Sequence, residues 1–135
     1  MKKLFTLLLF TAAFSMAYAQ QPASNNTTDD DVIFSIVENE PEYPGGDEAL
    51  YKFIGKNIVY PKSAREKGIQ GTVIVEFVIE KDGKLSNIKV VRSADPALDA
   101  EAVRVISKMP KWKPGTQRGK KVRSTFRLPI NFQLD

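Results

Sequence analysis

The side chains that most often perform chemistry in enzymes are missing from this chain, which contains no histidine and no cysteine. Their absence removes the commonest general base, thiolate chemistry, disulfides and most transition-metal sites. The remaining candidates are two carboxylates and a serine–lysine pair, namely Glu80, Asp82, Ser124 and Lys121. All four read as ordinary turn or strand residues. The inventory therefore predicts a protein that is not an enzyme and that uses no cofactor or metal ion.

A different kind of chemistry, backbone hydrogen bonding to a partner, is indicated by residues 122–135. The even-numbered positions are apolar apart from Ser124, and the odd-numbered positions hold no large apolar side chain except Pro129. Successive side chains of a strand point to opposite faces, so this alternation predicts a long strand between core and water. Because proline cannot donate to a ladder, Pro129 predicts an edge strand. An exposed edge offers its backbone groups to another chain.

Two helices must precede this sheet. Asp47 is a helix-capping residue followed by apolar residues at helical spacing, which predicts a helix that ends before Pro61. Pro61 itself suits the first turn of a short second helix, which Gly68 ends. Further along, Asp95 and the following proline predict the start of a third, longer helix that Pro110 ends.

A hairpin over residues 71–91 lies between the second and third helices. Its first strand is apolar on both faces, which predicts a central position, and Gly83 supplies the positive φ angle of the turn. The return strand changes phase, so we expect a bulge near Asn87. Residues 32–37 are a compact β-type run, read as a small strand or a segment lying on the domain, and residues 117–121 are read as a basic loop.

These elements predict an α+β fold in the order α-α-β-β-α-β. If the last strand pairs beside the first, the sheet is three-stranded and antiparallel in the order 2-1-3, with helices packed on one face. This arrangement explains both the two-sided apolar pattern of residues 71–79 and the proline in the last strand. It leaves residues 122–135 at an edge.

The first nineteen residues have the pattern of a signal peptide, with Lys2 and Lys3 before an apolar run and a small-x-small site at Ala17 and Ala19. The apolar run is shorter than the roughly 20 residues that span a bilayer. We therefore expect cleavage, a mature start near Gln20 and a location in the periplasm. The predicted organisation is a signal peptide at 1–19, a polar tether with a short β-type segment at 20–42, and a globular domain at 43–135.

The charges are distributed unevenly along a chain whose formal net charge is +4. Residues 29–48 contain carboxylates and no basic residue, whereas residues 108–127 contain basic residues and no carboxylate. A basic patch can indicate nucleic-acid binding, but export makes that partner a poor match. We interpret the basic segment as a solvated face that protects the sheet edge by charge.

From Tyr43 onward the chain resembles the carboxy-terminal domain of TonB-type energy transducers, in the version common in Bacteroidetes. The resemblance covers about 90 residues, and its motifs are specific as a set. They are Tyr43-Pro-Gly-Gly46, Tyr60-Pro-x-x-Ala64, Gly68-Ile-Gln-Gly71, Val73-Ile-Val-Glu-Phe77, Lys81-Asp-Gly83, Leu98-Asp-Ala-Glu-Ala102, Met109-Pro-Lys-Trp-Lys-Pro-Gly115 and Leu128-Pro-Ile-Asn-Phe132.

The resemblance implies a periplasmic protein-binding module that works in energy-coupled transport. In this family the domain grips the TonB box, a short peptide of TonB-dependent outer-membrane receptors, which adds as a strand to the edge of the last strand. Energy reaches this joint from an inner-membrane motor, the ExbB and ExbD proteins. Tyr60 is carried over as a rim contact, with a core or turn tyrosine as the alternative. The other expected partner-binding residues are Arg123, Ser124, Thr125, Phe126, Arg127 and Leu128.

The sequence departs from a full transducer in two respects. It shows neither an inner-membrane helix with a coupling histidine nor a long proline-rich spacer, so we expect it to bind a receptor peptide without transmitting energy by itself. The alternative is a homodimerising structural, interaction or sensory module of the periplasm, since related domains occur as sensory appendages of membrane peptidases. Neither interpretation involves nucleic acid or a small-molecule substrate.

Overall fold

The structure is a computed structural model that describes residues 32–135. The predicted signal peptide at 1–19 and the tether up to residue 31 lie outside the described residues. Eight elements follow one another along the described part of the chain. They are β1 (Ile33–Phe34), α1 (Gly46–Asn57), α2 (Lys62–Glu66), β2 (Gly71–Ile79), β3 (Leu85–Arg92), α3 (Pro96–Ser107), β4 (Gly115–Gln117) and β5 (Lys120–Phe132).

The three long strands are arranged as the sequence predicts. β2 lies in the centre, pairs antiparallel with β3 on one side, and pairs antiparallel with β5 on the other. The pairing of β2 with β5 runs without a register shift from Gly71 opposite Phe132 to Ile79 opposite Ser124. The central position of β2 accounts for its two-sided apolar pattern, since Val78, on the face opposite Phe77, is also buried.

The prediction of a three-stranded antiparallel sheet is wrong. The described residues form five strands, because β1 adds to β5 in parallel and β4 pairs antiparallel with the start of β5, so the sheet is mixed. β5 therefore does not form a free edge along its whole length. Strands of two and three residues are too short to produce an alternating pattern, so their pairing is decided by tertiary neighbours.

The hydrophobic core lies between one face of the sheet and the helices. The alternation predicted for β5 is confirmed, because its even-numbered residues from Val122 to Phe132 are buried or half-buried and its odd-numbered residues are more exposed. The buried even-numbered residues pack with alternate residues of β2 and with the apolar stripe of α3, which includes Leu98 and Ile106. Residues 122–132 are thus fixed in register by the side chains that they bury.

Several local signals in the sequence are confirmed by the backbone. Gly83 has φ 87° in the turn between β2 and β3, and Asn87 has φ 48° near a register shift between these strands. Asp95 caps α3, since its carboxylate accepts hydrogen bonds from the backbone N–H groups of Ala97 and Leu98. The signals at Gly83 and Asp95 depend on a single residue type with a strong local preference, whereas the signal at Asn87 is the change of phase along the return strand.

Two local predictions are wrong. Asp47 does not cap α1, because the helix begins at Gly46 and Asp47 lies inside its first turn. Gly45 holds the capping position, with φ 90° and no side-chain hydrogen bond. The basic loop at 117–121 is instead a hairpin, in which Arg118 and Gly119 form the turn between β4 and β5 at φ 51° and 74°. Within residues 32–135, no helix has the length and apolar character needed to cross a membrane.

Candidate functional site

The strand β5 has two edges with different partners. Its inner edge pairs with β2 along residues 124–132, whereas on the outer edge Arg123 and Ser124 pair with Ile33 and Phe34 of β1. Beyond Ser124, no other strand among residues 32–135 pairs with the outer edge. The predicted binding edge is therefore open from Thr125 onward and covered at its first two positions by the chain's own β1.

Three of the predicted binding residues direct their side chains into the domain. Ser124 and Leu128 are 1% and 2% exposed, and the half-buried ring of Phe126 lies 5.1 Å from that of Trp112. The Ser124 hydroxyl is buried without a hydrogen-bond partner and lies against Gly115 of β4. These residues can therefore meet a ligand only through their backbone groups.

Arg123 lies on the opposite, helix-free face of the sheet. Its Nε and Nη2 atoms donate to the Glu80 carboxylate at 2.6 and 3.0 Å, and the Ser86 hydroxyl donates to the same carboxylate at 2.6 Å. The hydrogen bond from Arg123 is the main cause that holds the pKa of Glu80 below its ordinary value. Both side chains are largely shielded from solvent. The Arg123 side chain is thus held across β2 and does not extend over the edge of the sheet.

Arg127, four residues further along β5 on the same face, pairs with a carboxylate of β2. Its Nε atom donates to the Glu76 carboxylate at 2.8 Å, and the Lys89 ammonium lies 3.5 Å from the other carboxylate oxygen. The hydrogen bond from Arg127 is the first cause that lowers the pKa of Glu76. Thr125 is half-buried between the two arginine positions. The helix-free face of β5 therefore presents a row of polar side chains beside the open edge, in which Arg127 is more exposed than Arg123.

Tyr60 lies at the far end of β5. Its ring packs edge-on against Phe132 with 5.8 Å between centroids, and its hydroxyl donates to the carbonyl of Ile69. Phe132 is four residues beyond Leu128, a distance of about 13 Å along a strand. The structure thus brings Arg123 to Leu128 together on one strand and does not bring Tyr60 beside them.

Sequence reasoning missed a basic groove next to the covered part of the edge. Its volume is about 610 Å³, and Phe34 of β1 forms part of its wall. The other lining residues come from the β2–β3 turn and the β4–β5 hairpin, and they are Lys81, Gln117, Arg118, Lys120, Lys121 and Val122. The run of basic residues in the sequence was the available signal for this groove. These residues come together only because the β4–β5 hairpin forms, which the sequence did not indicate.

The stretch after β1 is bound to β4. The Asn39 and Thr116 backbones exchange hydrogen bonds of 3.1 and 2.9 Å, and the Glu38 backbone N–H donates to the Gln117 side chain at 3.0 Å. The Glu38 carboxylate accepts from the Arg118 backbone N–H at 3.3 Å. Residues 38–42 thus form a fixed base from which β1 reaches the outer edge of β5.

Comparison with known proteins identifies the family. Residues 56–134 match the family described as the Gram-negative bacterial TonB protein C-terminal. The chain belongs to the TonB C-terminal domain family. The match covers more than half of the chain and runs from the end of α1 to the end of the described sheet. It therefore includes the three long strands β2, β3 and β5, and with β5 the candidate edge.

Individual relatives agree with this assignment. The chain is 32% identical over 77 residues to the protein TonB of Xanthomonas campestris pv. campestris (strain B100), which covers 56% of this chain and 34% of that protein. It is 34% identical over 77 residues to the protein TonB of Vibrio cholerae serotype O1, covering 56% and 31%. The chain therefore spans about a third of the length of these relatives.

A solved structure supports the α+β fold. The solution NMR structure of the Helicobacter pylori TonB-CTD superimposes with a TM-score of 0.51 at 28% sequence identity, covering 64% of this chain and 78% of that one.

Proposed function

We propose that this domain is a periplasmic protein-binding module in TonB-dependent, energy-coupled transport. It binds the TonB box of an outer-membrane receptor as an added strand on the outer edge of β5. The observation that carries the proposal is the difference between the two edges, because β2 occupies the inner edge from Ser124 to Phe132 while the outer edge is open from Thr125. Strand addition requires such a row of backbone groups.

The energetics suit a joint that forms and breaks. Each backbone hydrogen bond contributes about 0.5–1.5 kcal/mol net, so the few bonds available to a short peptide give modest affinity. Pro129 has no N–H to donate, and we therefore place the main contact on residues 123–128. The binding needs no cofactor and no catalytic group, in keeping with the inventory of the sequence.

The predicted binding residues have two roles in this proposal. Ser124, Phe126 and Leu128 contribute backbone groups only, because their side chains face the core. Arg123, Thr125 and Arg127 flank the added strand with side chains on the helix-free face. For Tyr60 we infer a supporting role at the end of β5, where its ring packs against Phe132 and its hydroxyl donates to the carbonyl of Ile69.

A backbone-methylation scan of the ligand tests the proposal without changing the protein. The ligands are synthetic TonB-box peptides with the sequence of a receptor from the same organism. Each peptide carries one N-methyl group, placed one position further along in each member of the series, and isothermal titration calorimetry gives its Kd. Alternate N–H groups of an added strand face the protein. Methylation of those positions is expected to weaken binding about tenfold or more, and methylation of the intervening positions is expected to have little effect. Weakening without this alternation would contradict strand addition.

The same open edge also suits pairing with a second copy of the chain, which is the alternative function. Light scattering of the chain from Gln20 onward, over a hundredfold range of concentration, distinguishes peptide binding from dimerisation. A mass that rises with concentration, together with failure to bind any receptor peptide, favours the dimerising module. A constant monomer mass removes it.

A further inference from the structure

β1 occupies the first part of the edge on which the proposed function depends. Its two residues pair with Arg123 and Ser124, in parallel. Ile33 is 38% exposed, the preceding Val32 is 37% exposed, and neither residue belongs to the core cluster. β1 is thus a short, superficial strand that the fold does not need for its core, and it uses the same backbone groups as an external strand would use.

The attachment of β1 allows it to leave without unfolding the domain. Residues 38–42 remain bound to β4 through backbone hydrogen bonds, including those between Glu42 and Lys113 at 2.8 and 2.9 Å. Between this base and β1, Ile36 is 88% exposed, so it has no packing contacts to lose when β1 moves. A strand tethered this closely competes at a high effective concentration.

We propose that residues 32–37 form a detachable internal strand that closes the first part of the outer β5 edge and that an external strand must displace. The backbones of Ile33 and Phe34 pair with Arg123 and Ser124, the first two positions of the proposed contact. The proposal rests on the proposed function for the identity of the external strand. The inference adds to that function a competition between the internal strand and the external strand for the same edge. The domain then binds a partner only when the internal strand is released.

The first test removes the pairing of β1 in the full chain. The double variant Ile33→Pro/Phe34→Pro eliminates both N–H groups of β1, and Ile36→Pro is the matched control in the exposed part of the same segment. Binding of a synthetic TonB-box peptide is measured by calorimetry, and thermal unfolding verifies that each variant is folded. The double variant is expected to bind about 3–30-fold more tightly than the unaltered chain, and the control is expected to bind as the unaltered chain does.

The second test uses the segment itself as the ligand. A synthetic peptide with the sequence of residues 32–37 is expected to bind the double variant, to bind the unaltered chain more weakly, and to compete with the receptor peptide.

The outcomes distinguish this inference from the proposed function. Equal binding of the receptor peptide by the unaltered chain and the double variant overturns the internal strand while leaving strand addition in place. Failure of the 32–37 peptide to bind the folded double variant also overturns it. If that peptide binds the double variant and no receptor peptide binds either protein, the internal strand is supported and the proposed receptor function is rejected.

Discussion

The two ends of β5 are held in place by different kinds of contact. Residues 128–132 bury Leu128, Ile130 and Phe132 in the core and pair with β2 without a shift in register. Residues 120–124 pair with two short strands, carry basic side chains beside a groove, and bury only Val122 and Ser124. Residues 128–132 are thus held by hydrophobic burial, whereas residues 120–124 are held largely by short backbone pairings.

The difference explains where a binding edge can be placed. Large apolar side chains fix a strand in position and register, because any shift exposes them. Backbone pairings of two or three residues contribute little net free energy and can be exchanged for similar pairings with another chain. The weaker contacts of β5 therefore lie at residues 120–124, whereas residues 128–132 are locked by burial.

The largest effect is expected from Phe132→Ala, which breaks the locked half. Phe132 is 2% exposed and packs against Tyr60, so its truncation leaves a cavity and is expected to lower the free energy of unfolding by about 3–5 kcal/mol. The matched control is Phe34→Ala in β1, outside the core, with an expected loss below about 1 kcal/mol. Urea unfolding measures both, and equal losses would contradict the division of β5.

A smaller effect is expected from a comparison of the two hairpin turns. At Gly83 a methyl group would lie 2.1 Å from the carbonyl oxygen of Trp112, whereas at Gly119 it would meet no atom within 4 Å. Both glycines have positive φ, so Gly119→Ala is expected to cost only the left-handed strain of about 1 kcal/mol. Gly83→Ala is expected to cost about 2–4 kcal/mol. Thermal unfolding checks the order, and equal costs would show that the β2–β3 turn is not fixed by Trp112.

The smallest effect concerns the ion pair between Glu80 and Arg123. Because the pKa of Glu80 is lowered in the folded protein, the unfolded carboxyl takes up a proton first as the pH falls. The pair therefore stabilises the fold above the ordinary pKa of 4.5 and loses this contribution as the pH falls below it. Glu80→Gln is expected to cost about 1 kcal/mol at pH 7 and less at pH 3.

Urea unfolding at the two pH values gives this difference. The control is Glu66→Gln, since Glu66 lies 3.9 Å from Lys62 in an exposed helical pair, for which we expect no measurable change. A Glu80→Gln cost that is the same at pH 3 and pH 7 would show that the loss comes from packing and not from the charge.

The elements with strong local signals could be predicted from the sequence. The glycine at 83 and the cap at Asp95 are predictable because each depends on the preference of one residue type. The irregular strand at Asn87 is predictable because the apolar residues of the return strand change phase there. The prediction at Asp47 failed for a related reason. A good capping residue was available, but the cap is Gly45, two residues before Asp47, and both Gly45 and Gly46 have positive φ.

The candidate site was only partly predictable. Its strand and the expected binding residues Arg123 to Leu128 follow from alternation and from the family resemblance. The cross-strand partners of the arginines, Glu80 and Glu76, lie more than forty residues away in sequence and depend on the register of β2 with β5. No pattern within the last strand indicated that Arg123 and Ser124 are covered.

By itself, the sequence determined the long strands, the helices, the buried face of β5 and the family, because these depend on periodic burial and on motifs that local residue preferences produce. Only the tertiary structure decided the fate of the edge. The pairing of β1 and β4 with β5 depends on strands of two and three residues, whose backbone hydrogen bonds are available only after the core has placed them side by side.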